Sequence, residues 1–114
     1  VRDIYTAPYT EDAAQLQPRR LRSDPYQGMG LNFVVGCGYA AREGARDQTV
    51  VVRLADGVAW ILDDTPDWTY GRPLAITCEE IFWDYNESKE NFLGGMTSIA
   101  RIRLADLGPG LPPD

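Results

Sequence analysis

The sequence predicts a mainly antiparallel β protein, a small sandwich or barrel-like sheet of about four to six strands with one packed helix near 78–93. The alternative is an α+β arrangement. Three observations carry this expectation. Leu31–Ala40 alternates at period two, Thr49–Leu54 and Val58–Leu62 are apolar runs joined across an Asp-Gly pair, and the prolines leave 26–65 and 74–108 clear. Proline interrupts helices and central strands, so regular structure belongs in those two windows.

The first segment, residues 1–30, reads as irregular chain punctuated by Pro8, Pro18 and Pro25, with Thr10–Gln17 as a short capped helix that Pro18 ends. The globular core spans 31–107. Its first element, Leu31–Ala40, places Leu31, Phe33, Val35, Cys37 and Tyr39 on one side and thinner residues opposite, which is the pattern of one strand. Arg42–Gln48 is then an exposed connection. Thr49–Leu54, the Asp56-Gly57 turn and Val58–Leu62 form a hairpin, so that 31–63 is a three-strand meander.

Residues 74–93 carry two signals. Leu74, Cys78, Ile81, Phe82, Tyr85 and Phe92 recur at helical spacing, Thr77 and Glu80 make a capping box, and Gly94-Gly95 offers a stop. Against the helix stand Asn86, Ser88 and Asn91, and the Ile81-Phe82-Trp83 run also suits a strand. Ser98–Leu104 sets Ala100, Ile102 and Leu104 against Arg101 and Arg103, a half-buried strand with a basic outer face. Residues 108–114, rich in proline and glycine, read as an extended tail or linker stub.

Composition bounds the function. With 114 residues, 44% apolar and 25% charged, the chain reads as one soluble domain. It has no histidine, which removes Ser-His-Asp and Cys-His triads and imidazole zinc sites. The net charge of -6 argues against a nucleic-acid face. No apolar run approaches the ~18 residues of a membrane span, and Val1–Pro8 lacks the parts of a signal peptide. The expected partner is therefore another protein with a basic patch, with no nucleic acid, membrane, cofactor or metal.

The whole charge excess lies in 63–93, where Asp63, Asp64, Asp67, Glu79, Glu80, Asp84, Glu87 and Glu90 face only Arg72 and Lys89. Six of the twelve aromatic residues fall there too. Acids supply steering and aromatics supply anchoring, so the expected contact surface is Asp63, Asp64, Asp67, Trp68, Tyr70, Trp83, Asp84, Tyr85 and Glu87 in a noncatalytic binding module, such as an inhibitor, an immunity protein or an assembly subunit. The same residue types suit a small carbohydrate-binding or glycan-processing domain, with tryptophan as the sugar platform and Glu79, Glu80, Asp63 or Asp64 as hydroxyl partners.

Other motifs are weaker. Gly36-Cys37-Gly38 with Ala41 forms G-x-G-x-x-A after an apolar run, with Asp56 20 residues beyond Gly36, the spacing of a truncated nucleotide-binding unit. Asp63, Asp64 and Asp67 have the oxygen density of a calcium loop. Asp84–Ser88 imitates an EF-hand but has Lys89 and Gly95 at the deciding positions. Arg19, Arg20 and Arg22 are a basic cluster suited to docking on the chain's own acidic face. Cys37 and Cys78 leave two alternatives. Joined, they close a loop of about 42 residues and place the protein outside the cytoplasm; free, they are small buried apolar residues in a cytoplasmic protein.

Overall fold

A computed structural model describes residues 3–25, 33–43, 48–62, 69–86 and 97–114, with backbone only at 69–71, 85–86 and 97–98. Among these residues nine strands make three antiparallel sheets. The N-terminal ribbon pairs β1 (Asp3–Thr6) with β2 (Arg19–Ser23). A four-stranded meander follows in chain order: β3 (Phe33–Gly36), β4 (Tyr39–Glu43), β5 (Thr49–Arg53) and β6 (Ala59–Leu62). The third sheet holds β7 (Thr69–Ile76), β8 (Glu80–Asn86) and β9 (Thr97–Arg103).

The mainly antiparallel β class therefore holds, but the helix at 78–93 does not. Its described part is β8, and the apparent capping box is a hairpin turn. Thr77 Oγ1 accepts from the amides of Glu79 and Glu80 at 3.2 and 3.0 Å, as an N-cap hydroxyl would. Yet Thr77 N donates to Glu80 O at 2.8 Å, so the chain reverses rather than winds. A hydroxyl two or three residues before a free amide serves either motif, and the neighbouring strands decide between them. Here β8 exchanges its ladder with β7 on one side and with β9 along its full length on the other.

Leu31–Ala40 likewise is not one strand. Gly36 pairs with Tyr39 across Cys37-Gly38, both at positive φ (46° and 81°), as a two-residue hairpin turn requires when it matches the strand twist. The reversal puts Phe33 and Val35 on one face of the sheet and Tyr39 on the other. The Asp-Gly hairpin is present as read, with Gly57 at φ 78° and Asp56 accepting from Val58 N at 3.1 Å. Arg53 bonds Asp56 from Nε and lies 5.4 Å over the Trp60 ring, and that guanidinium is the main reason the Asp56 carboxyl sits below its ordinary range. β9 alternates as its sequence implies, with Ala100 and Ile102 half-buried between exposed Ile99, Arg101 and Arg103.

Sheet alternation builds two cores. One face of the meander presents Ala41, Val51 and Trp60 to Ile81 and Trp83 of the third sheet. Its other face presents Val50, Val52 and Ala59 to Leu21, with Ile4 packed alongside. The meander is the middle of three layers. At Gly36 a Cβ would collide with the carbonyl oxygen of Ile76, so glycine admits β7 against the edge strand β3.

Both termini depart from the irregular segment and loose tail of the sequence reading. Thr10–Gln17 contains only a single 3-10 turn at Ala13–Gln15, capped by Asp12. The tail is extended but docked: Leu111 bridges Ala59 in both directions, and Trp60 Nε1 donates to Gly108 O at 3.0 Å. Among the described residues the basic cluster finds its partners outside the acidic segment. Arg22 is buried and donates to Gly57 O and Leu111 O at 3.0 and 2.8 Å. Arg20 pairs with Asp3 and Asp114, and Arg19 donates to Leu54 O.

Asp114 accepts from Ser23 N at 2.9 Å, and bonding to Ser23, with a smaller contribution from Arg20, holds its carboxyl well below the usual range. A carboxylate with a depressed folded value stabilises above its unfolded value near ~3.9 and loses that contribution as pH falls through the folded one. The Ser23 amide resonance is therefore expected to stay constant from pH 7 to about 4 and to move only below it. A midpoint near that of an exposed aspartate would show that the contact does not form.

Candidate functional site

The disulfide decides one of the open alternatives. Cys37 and Cys78 are bonded, with Cα atoms 5.1 Å apart, and it joins the β3–β4 turn to the β7–β8 turn. Both cysteines are exposed, in contrast to the buried pair that free thiols would make.

The opposite end of the third sheet is where the acidic segment begins and ends. Thr69, Asn86 and Thr97 stand side by side in register. Connections 63–68 and 87–96 thus attach to the same sheet end. Asp63, Asp64, Asp67, Trp68 and Glu87 lie outside the described residues. Tyr70 and Tyr85 are register partners across β7 and β8 at that end. Asp84 projects from the outer face, 3.8 Å from Arg72, and Glu80 from the same face, 3.5 Å from Arg101. These ion pairs offset the acids in the sheet. By sequence, what is left is Asp63, Asp64, Asp67, Glu87 and Glu90 against Lys89 in the two connections, plus Glu79 at the far turn.

Trp83 is a correction. Its side chain is 0% exposed between the two sheets, so it has no surface for a partner and cannot be an anchor. In a strand, neighbouring side chains point to opposite faces, and Trp83 points inward where Phe82 and Asp84 point outward. The same burial bears on a sugar platform. Trp60 and Trp83 are both buried, and Glu80 lies on the sheet face opposite Trp83.

The G-x-G-x-x-A run is also accounted for. It spans a hairpin turn followed by β4 rather than a strand followed by a helix, so there is no helix N-terminus to receive a pyrophosphate. Asp84–Asn86 lies in β8, extended and unlike a calcium loop. Among the described residues no three carboxylates or cysteines converge as a metal site would need, and no helix is long and apolar enough to cross a membrane.

A second surface was not singled out from the sequence. A cleft of about 410 Å³ lies between β1 and the β3 side of the meander, lined by Ile4–Ala7 on one side and by exposed Phe33 and Val35, Ala40 and buried Val50 and Val52 on the other. Phe33, Val35 and Tyr5 at its rim are 67%, 60% and 57% exposed. The period-two pattern at Phe33 and Val35 marks one face of a strand but does not say whether that face is covered. The chain matches no protein-family model, no curated protein and no solved structure.

Proposed function

We propose that the chain is a noncatalytic protein-binding module whose acidic, aromatic end meets a basic partner. The observation that supports this most is the register of Thr69, Asn86 and Thr97, which attaches both acid-rich connections at one sheet end. Ion pairing of Glu80 and Asp84 within the sheet leaves the excess charge, by sequence, in those connections, and such a charge steers association with a basic partner. Tyr70, Tyr85 and Trp68 are the aromatic anchors of this reading, with Trp83 removed from the set. An exposed disulfide suits an oxidising compartment, so the module acts outside the cytoplasm.

The test begins with affinity capture from the source extract at low salt, followed by purification of the captured protein. Titration with wild type and with the Asp64→Lys/Glu87→Lys double variant should show about a tenfold or larger loss of affinity, mostly as slower association, and a shallower salt dependence. Equal affinity and equal salt dependence for the two proteins would remove the acidic end from the binding surface.

A further inference from the structure

We propose that the outer edge of β1 and the exposed Phe33 and Val35 of the meander form a strand-addition slot, which takes an uncharged extended peptide of alternating apolar and polar residues from a partner protein. This slot is separate from the acidic end and does not depend on it.

Its first support is the lining. Ile4, Tyr5, Thr6 and Ala7 are consecutive, and all four border the cleft. Alternate strand side chains point in opposite directions, so four consecutive lining residues mean that the cleft runs along the backbone edge of β1 rather than along one of its faces. Among the described residues β1 pairs only with β2. Its other edge turns alternate N–H and C=O groups toward the cleft, and no strand among the described residues receives them.

Opposite this edge, exposed Phe33 and Val35 with half-buried Ala40 make an apolar wall toward which every second side chain of an added strand would point, over a floor of buried Val50 and Val52. Main-chain bonds then supply affinity, and the wall selects apolar residues at alternate positions. The charge of the slot selects further. Among the described residues its one charged lining group is Arg42, whose Nη2 donates to both Asp24 carboxylate oxygens at 2.6 Å. With that guanidinium already matched, the slot favours a peptide of no net charge.

Size chooses a short segment over a second copy of this chain. An aromatic side chain carries about 150–250 Å², so at 57% and 67% exposure Tyr5 and Phe33 leave about 85–170 Å² each. With Val35 the open apolar area is about 300–400 Å², half or less of the ~800 Å² that a stable dimer takes from each partner. The four residues of β1 span roughly 13 Å, enough for a strand of similar length.

The probe is the acetylated, amidated peptide Val-Thr-Ile-Ser-Val-Thr-Ile-Ser, titrated into the full chain while backbone amide shifts and hydrogen exchange are followed. Addition should shift and protect amides within Ile4–Ala7. Binding should weaken at least about tenfold when alternate peptide nitrogens are methylated, and equally in Val35→Arg or Phe33→Ser, both at exposed positions. Asp64→Lys/Glu87→Lys should bind the peptide like wild type, which separates failure of this slot from failure of the acidic end. Three outcomes overturn the proposal. They are no shift at β1 with about 1 mM peptide, equal binding of the methylated peptide, or a dimer in sedimentation that Val35→Arg abolishes.

Discussion

Trp83→Ala is expected to destabilise the fold by about 4 kcal/mol, within the range for deleting a fully buried large aromatic side chain. The indole lies between the two sheets, in one cluster with Ile81 of its own strand and Ala41, Val51 and Trp60 of the meander. Little in that layer can collapse into the space. The meander is held on its far side by Leu21 and Ile4, and β8 is held by ladders on both edges. Domains of this size have total stabilities of roughly 5–15 kcal/mol, so the variant should melt some 15–20 °C lower or fail to accumulate. Trp83→Phe keeps most of the volume and should cost much less. Denaturant titration of the three proteins checks the order, and an alanine variant within about 1 kcal/mol of wild type would place the indole outside the core.

Removing the disulfide by Cys37→Ser/Cys78→Ser should cost a similar amount by a different route. The cysteines are 41 residues apart in sequence, and opening a loop of that length returns about 4 kcal/mol of chain entropy to the unfolded state. The folded state loses little, because both cysteines are exposed at hairpin turns. Cys37 sits at φ 46°, a conformation that penalises any side chain. Cys37→Gly/Cys78→Ser should therefore be about 1 kcal/mol more stable than the double serine variant. Thermal melts of the oxidised, reduced and doubly substituted chains test this. Identical melting of oxidised and reduced protein would mean that the bond does not constrain the unfolded chain.

Much of the β character was readable from residues alone, and each departure from it has a local physical cause. The Asp56-Gly57 hairpin was legible because its determinants are local: an aspartate that bonds the chain two residues on and a glycine at positive φ. β9 was legible because Arg101 and Arg103 alternate with Ala100 and Ile102 between solvent and core, with Ile99 on the solvent side. The Cys37-Gly38 reversal was not, since an apolar residue that takes positive φ carries no turn signature. β8 was misread as helix because Thr77 and Glu80 satisfy a cap and a turn equally well, and because Leu74, Cys78, Ile81 and Tyr85 fit period 3.6 by coincidence of two strands and the turn between them.

The candidate surfaces follow the same division. The composition of the acidic segment, its aromatic content, the lack of histidine and the alternation that makes sheets are all set by the order of residues alone. Tertiary structure decided which aromatics lie inside, that two acid-rich connections share one sheet end, and that two turns far apart in sequence are bonded through Cys37 and Cys78. It also decided that one side of Phe33 and Val35 stays open beside β1. The physical reason is that strand alternation names two faces without saying what covers either, and coverage depends on contacts between segments tens of residues apart.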